Sequence, residues 1–273
     1  MEQSFIAFLE DSIQKNWDLD ALTDYKGATL QYKDVARKIE KLHIIFELSG
    51  IKKGDKIAVC GRNSSHWGVT FLATITYGAV IVPILHEFKA DNIHNIVNHS
   101  EARLLLVGDM VWENLNENAM PLLEGVLLMN DFTLLVSRSE RLDYARDHLN
   151  ELFGKKFPRN FRREHVSYRR DKPEELAVIN YTSGTTSYSK GVMIPYRALW
   201  SNTQLAFDVL TMKPGDKLVS MLPMAHMYGL AFEFLYEFCV GCHIYFLTRM
   251  PSPKIIFQAF ADIKPNLVVA VPL

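Results

Sequence analysis

Three cysteines, Cys60, Cys239 and Cys242, are too few to staple a chain of 273 residues. That scarcity excludes a disulfide framework and points to a reducing, cytoplasmic setting. Charge of one sign is lacking too. Thirty Lys and Arg against 31 Asp and Glu leave a formal net charge of -1, which gives no footing to a general nucleic-acid binder. No hydrophobic run approaches the ~20 apolar residues of a spanning helix. The most apolar region, Val219 to Leu247, is broken by Pro223, His226, Glu233 and Glu237. It reads as buried elements of a soluble core, with peripheral membrane contact left open. The N-terminus carries Glu2, Glu10 and Asp11 around a short apolar patch, where a signal peptide would open on basic residues. No low-complexity linker interrupts the chain.

What is present is an alternation of short apolar runs with helical stretches, the pattern of a mainly parallel α/β sheet. Strands are expected at Lys56–Cys60, Ala79–Ile84, Arg103–Val107, Leu176–Tyr181, Lys217–Leu222, Cys242–Leu247 and Leu267–Val271. Helices are expected at Ser64–Tyr77, Asp91–Ser100, Tyr196–Leu210, Met227–Val240 and Lys254–Ile263.

Two stretches run in parallel. From Tyr32 a helix leads to Gly54-Asp55-Lys56, a strand, a loop with His66, an apolar helix, Gly78 and a second strand. From Tyr196 a helix leads to Gly215-Asp216-Lys217, a strand, a loop with His226, an apolar helix, Gly241 and a second strand. This is either a loose internal repeat or the common likeness of β-loop-α-β units, and the sequence leaves both open. It supports two α/β layers, approximately 50–200 and 1–49 with 201–273. The basic segment from Lys155 to Lys172 reads as a solvated connection, with a patch for anionic ligands or lipid headgroups as the rival reading.

The informative segment is Tyr181-Thr182-Ser183-Gly184-Thr185-Thr186-Ser187-Tyr188-Ser189-Lys190-Gly191. The hydroxyls of Thr182, Ser183, Thr185 and Thr186 can donate to phosphate oxygens. Gly184 and Gly191 let amides approach an anion, and Lys190 supplies a mobile charge. An ordinary Ser/Thr/Gly loop has the same composition. A Walker loop is excluded, because Ser189 precedes the Lys and Gly191 follows it. Cys239-Val240-Gly241-Cys242 has C-x-x-C spacing, but a redox or zinc role needs a fitting context or two more ligands, so buried structural thiols are expected.

The segment closely resembles the signature loop of the adenylate-forming superfamily, YTSGTTGxPKG, which this chain writes YTSGTTSYSKG. Leu222-Pro223-Met224-Ala225-His226-Met227-Tyr228-Gly229 resembles the superfamily's second landmark in the form found in long-chain fatty acid ligases. The stretch from Thr29 through Gly54-Asp55-Lys56 resembles its opening. The resemblance implies the α/β N-terminal portion of a fatty acyl-CoA ligase using ATP, Mg²⁺ and coenzyme A. It assigns Thr182, Ser183, Gly184, Thr185, Thr186, Ser187, Lys190 and Gly191 to the nucleotide phosphates. Thr185, Lys190 and His226 are the implied catalytic residues, and no metal ligand is identified. His226, Met227, Tyr228 and Gly229 are implied on the acyl side, with Met227, Tyr228, Phe232 and Phe234 as tunnel-wall candidates against the alternative of plain helix core.

Two departures stand out. Ser187 replaces a Gly, at a cost on the order of 1 kcal/mol if the position needs a left-handed conformation, and Ser189 replaces a Pro, which loosens the loop by up to about 1 kcal/mol, so reduced phosphate affinity is expected. The superfamily's later Glu, Asp and Lys motifs and its C-terminal lid domain do not occur before Leu273, so the chain alone is expected to complete neither half-reaction at a useful rate. Transfer to an acyl carrier protein, and a non-catalytic nucleotide- or acyl-binding relative, are the alternatives.

Overall fold

Runs of β-branched and aliphatic residues bounded by turn chemistry set the strands, and hydroxyl caps start several helices. The computed structural model describes residues 4–182, 189–248 and 252–271. Near the N-terminus, β1 (Asp20–Asp24) and β2 (Thr29–Gln31) form a hairpin that feeds the helix Tyr32–Leu48. Then follow β3 (Lys56–Cys60), the helix Ser65–Tyr77 and β4 (Val80–Ile84). After the helix Ala90–His99 come β5 (Ala102–Val107), β6 (Gly125–Leu128) and β7 (Leu134–Ser137). A second hairpin, β8 (Leu176–Thr182) and β9 (Lys190–Pro195), feeds the helix Tyr196–Val209. β10 (Lys217–Ser220), a helical stretch from Met227 to Val240, β11 (His243–Phe246) and the helix Pro253–Ile263 complete the described elements.

The strands make two sheets, ordered β7-β6-β5-β3-β4-β8-β9 and β10-β11-β1-β2. In the larger sheet β3, β4, β5, β6 and β8 run parallel, with antiparallel β7 and β9 at its edges. The helices Tyr32–Leu48 and Ser65–Tyr77 bury Phe46, Trp67 and Phe71 in a core shared with residues of both sheets. The Ser65–Tyr77 helix starts because the Ser64 hydroxyl accepts from the Trp67 amide at 3.1 Å, and it ends because Gly78 takes a left-handed φ of 91°.

The two parallel stretches prove to be a repeat, and the geometry resolves what the sequence left open. The Gly54 amide donates to the Gly78 carbonyl at 2.9 Å, and Gly215 to Gly241 at 2.9 Å. The Asp55 carboxylate accepts from the Lys52 amide at 2.8 Å, and Asp216 from the Lys213 amide at 2.8 Å. Gly241 caps its helix with φ 102°, as Gly78 does. The order β3-β4-β8-β9 matches β10-β11-β1-β2, so each repeat lends its hairpin to the sheet of the other. The tyrosines follow the same exchange. Tyr196 donates to the Ile75 carbonyl at 2.7 Å, three residues before Gly78. The Tyr32 hydroxyl lies 3.2 Å from the Phe238 carbonyl, three residues before Gly241, and 2.9 Å from the Cys242 carbonyl just after it. The copies differ inside the second helix, where residues Ala231–Leu235 form a π turn. It absorbs one extra residue between a cap at His226 and a cap at Gly241.

Several expectations need correction. Leu267 to Val271 is not a strand; the Leu267 region makes one isolated bridge to Leu218. His66 lies in the first turn of its helix rather than in a loop. Val192, Met193 and Ile194 belong to β9, an edge strand that the Ser/Thr/Gly composition before it concealed. The basic connection from Lys155 to Lys172 is largely exposed, and it is anchored at a few points. Arg170 forks onto Glu10 with two bonds of 2.9 Å, and Lys156 reaches buried Glu40 at 3.0 Å. Cys60, Cys239 and Cys242 are free and buried. Among the described residues no helix is long and apolar enough to cross a membrane.

Glu237 stands out in this core. Both carboxylate oxygens are buried without a hydrogen-bond partner among the described residues, and burial holds its pKa well above the ordinary carboxylate range. A neutral, unpaired acid in apolar surroundings is destabilising. Glu237→Met is expected to stabilise the fold by about 1–3 kcal/mol, read as a higher urea midpoint.

Candidate active site

The signature hairpin and the His226 loop meet at the C-terminal ends of β8 and β10, the edge where open α/β sheets commonly bind ligands. Pairing between β4 and β8 is confined to Ile81 and Val178, so the end of β8 pairs with β9. Tyr181 lies opposite Gly191, and Thr182 opposite Lys190. The hairpin mouth therefore presents exposed Thr182 and exposed Lys190 side by side. Lys190 makes no ion pair with any described residue. Ser183, Gly184, Thr185, Thr186 and Ser187 lie outside the described residues.

Gly191 has a reason that the sequence did not suggest. A Cβ there would stand 3.0 Å from Ile179 Cγ2 and 3.1 Å from the Tyr181 ring. The missing side chain makes room for Tyr181, whose hydroxyl meets His99 Nδ1 at 2.7 Å. Tyr181 thus pins the first residue of the signature to the helix Ala90–His99.

The second landmark folds as a tight loop into a helix N-terminus. His226 occupies the cap position with extended φ and ψ of -99° and 131°, and its side chain is exposed. Tyr228 is 47% exposed and pairs with the half-buried Phe232 ring at 5.1 Å. Met227 is half-buried against the core. Phe234 is fully buried among Phe71, Phe238 and Phe246, so it is plain core and not a wall of an open channel. Gly229 is buried against the loop, where a Cβ would meet the Pro223 carbonyl at 2.7 Å. Gly229→Ala is expected to cost about 1–3 kcal/mol through that overlap and to push His226 outward, read by urea unfolding and by the histidine ring signals.

Three side chains that the sequence did not single out hold this loop. Asn63 accepts from the Met224 amide at 2.9 Å and donates to the Leu222 carbonyl at 2.7 Å. Asn180, in β8, donates to the Ala225 carbonyl at 2.8 Å. One oxygen of Glu233 accepts from the amides of Met221 at 2.9 Å and Leu222 at 2.7 Å, and from the Ser220 hydroxyl at 3.2 Å. Burial raises the Glu233 pKa to about 7, opposed by those amide and hydroxyl bonds. Glu233 was legible only as a charge interrupting an apolar run; its spacing named no partner.

Beside the loop, a cavity of about 850 Å³ opens between the ends of β3, β4, β5 and β6, with Arg62, Asn63, His66, His86, Lys89 and Asp109 among its lining. Thr182, Lys190 and His226 do not line it. Among the described residues no group of three or more His, Cys, Asp and Glu side chains could hold a metal ion.

The sequence profile described as AMP-binding enzyme matches residues 9–273. The chain belongs to this family. Among AMP-binding enzymes it is 30% identical over 213 residues to long-chain-fatty-acid–CoA ligase 5 of Rattus norvegicus, covering 73% of this chain and 30% of that protein. It is 24% identical over 273 residues to the human long-chain-fatty-acid–CoA ligase ACSBG2, covering 97% and 40%. A chloroplastic long-chain-fatty-acid–acyl-carrier-protein ligase of Arabidopsis thaliana is 26% identical over 279 residues, covering 96% and 37%. The chain spans 30 to 40% of the length of these relatives. A red-emitting luciferase from Phrixothrix hirtus superposes with a TM-score of 0.83 at 17% identity, covering 99% of this chain and 51% of that one. The N-terminal domain of FACL13 from Mycobacterium tuberculosis superposes at 0.78 and 18% identity, covering 100% and 63%. These superpositions establish the α/β fold of the family's N-terminal domains.

Proposed function

We propose that the protein carrying this chain activates a fatty acid carboxylate with ATP and passes the acyl group to a thiol, that of coenzyme A in the first instance. The observation that carries this reading is the Asn180–Ala225 bond, which ties the signature hairpin to the His226 loop. That bond brings the strand carrying the signature segment against the loop that ends at His226, which supports an anion-handling edge and a carboxylate-side loop serving one reaction. The long-chain fatty acid ligases among the relatives favour an apolar acid.

In the first step a carboxylate oxygen attacks the α-phosphorus, and the bond to the bridging oxygen breaks. Acyl-adenylate forms and pyrophosphate leaves. Two anions must meet and a third must depart, so the demand is for positive charge and hydroxyl donors. Lys190 and Thr182 supply both at the hairpin mouth, with Ser183, Gly184, Thr185, Thr186 and Ser187 assigned to the same phosphates by resemblance. In the second step the thiolate attacks the acyl carbonyl, the bond to AMP breaks, and AMP leaves. His226, capping its helix, orients the acid, while Met227, Tyr228 and Phe232 offer an apolar approach. Mg²⁺ would neutralise phosphate charge, an assignment that rests on the resemblance.

The acyl-carrier-protein ligase among the relatives favours a second acceptor by the same first step. Fatty-acid-dependent ATP–pyrophosphate exchange on the complete natural protein tests the shared step, and product formation with coenzyme A against acyl carrier protein separates the acceptors. Exchange with fatty acids is expected; exchange with no carboxylate, short or long, would refute the reading.

A further inference from the structure

Resting on that activation reading, we propose that Asn63 is a positioning residue for His226, setting the backbone of the Leu222–His226 loop from the opposite repeat. Asn63 lies just after β3, in the first β-α-β unit, while the loop it grips belongs to the second. Its amide group reads the loop from both sides. The oxygen takes the Met224 amide at 2.9 Å, and the nitrogen gives to the Leu222 carbonyl at 2.7 Å and lies 3.4 Å from the Ser220 hydroxyl. A side-chain amide offers a donor and an acceptor on one planar group at this length. An Asp here would set a carboxylate against the Leu222 carbonyl, and an Ala would leave both loop groups without a protein partner.

The repeat supports this assignment. Around the equivalent helix N-terminus of the first unit, Asp24 of the exchanged hairpin accepts from the Ser65 amide at 2.7 Å and the Ser65 hydroxyl at 3.0 Å. Around the second, Asn180 of the other hairpin holds Ala225, and Asn63 adds a cross-unit grip. Asn180 and Glu233 fix the two flanks of the loop, and Asn63 fixes Met224, two residues before His226. Asn63 also lines the 850 Å³ cavity with its neighbour Arg62. Its grip therefore sits between that cavity and the histidine.

Asn63→Ala is compared with the parent in two ways on the complete natural protein. Amide hydrogen exchange at Met224 is expected to quicken by about tenfold, the loss of one net hydrogen bond, while the β5 amides stay unchanged. In acid-dependent ATP–pyrophosphate exchange the KM for the fatty acid is expected to rise by about tenfold, with the KM for ATP within about twofold. Unchanged exchange at Met224 would overturn the proposal. So would a fall in kcat alone with both KM values fixed, the signature of lost folded protein. If the parent shows no acid-dependent activity, the activation reading fails on its own. The Asn63 assignment is then judged by whether the His226 ring resonances move along with the quickened Met224 amide, and static resonances overturn it.

Discussion

Lys190→Ala is expected to lower acid-dependent ATP–pyrophosphate exchange by about 100-fold, the usual cost of removing one group that stabilises transition-state charge, and to leave stability almost unchanged. The two halves of this expectation come from the same geometry. Lys190 sits on an edge strand with its side chain exposed, so nothing in the core depends on it. Its backbone pairing with Thr182 survives substitution. Its charge has no counter-ion among the described residues and is available to a phosphate. Thermal unfolding and exchange kinetics on the same preparation separate the two effects. Loss of activity in step with loss of folded protein would mean that Lys190 acts through the fold.

The signature segment was legible because it keeps hydroxyls, glycines and a lysine in a fixed order, although Ser183 to Ser187 lie outside the described residues. The hairpin that displays it was harder to see. β9 has four exposed residues followed by two half-buried ones, so it lacks the alternation that marks a strand. The exchange of hairpins between repeats was invisible because register between distant strands is a tertiary outcome. Asn63, Asn180 and Glu233 escaped notice for a related reason. Each bonds to backbone groups, and a backbone partner leaves no trace in residue identity. The Leu267–Val271 run misled because an apolar stretch meets the hydrophobic criterion for a strand even where only one bridge forms.

The second large effect concerns acid. His43 lies in the core, where burial drives its pKa down to about 3, with nearby Lys156 adding to the shift and the bond to the Ala73 carbonyl opposing it. Glu40 stands 3.8 Å from the other ring nitrogen, a position that by itself favours the charged ring. That carboxylate is already held by Lys156 at 3.0 Å, and burial dominates. In the unfolded chain the ring takes a proton below about pH 6.5. In the folded chain it resists until near pH 3. The contribution of His43 to stability is complete above the unfolded pKa and is lost as the pH falls toward the folded one. His43→Gln keeps a donor for the Ala73 carbonyl at 3.0 Å and cannot titrate. Between pH 6.5 and 4 the parent is expected to lose on the order of 3 kcal/mol more than the variant. Urea unfolding across that range reads the difference, and parallel curves would show that the ring accepts its proton inside the fold.

Carboxylate activation is tested most directly on the intermediate itself. The complete natural protein, mixed with ATP, Mg²⁺ and a long-chain fatty acid, is quenched before a thiol is added. The predicted result is an acyl-adenylate mass that requires both the acid and ATP, shrinks with Lys190→Ala, and disappears when coenzyme A is supplied. Binding of ATP and acid with no adenylate at any time point would contradict it and leave a nucleotide-binding protein in an activating enzyme's fold.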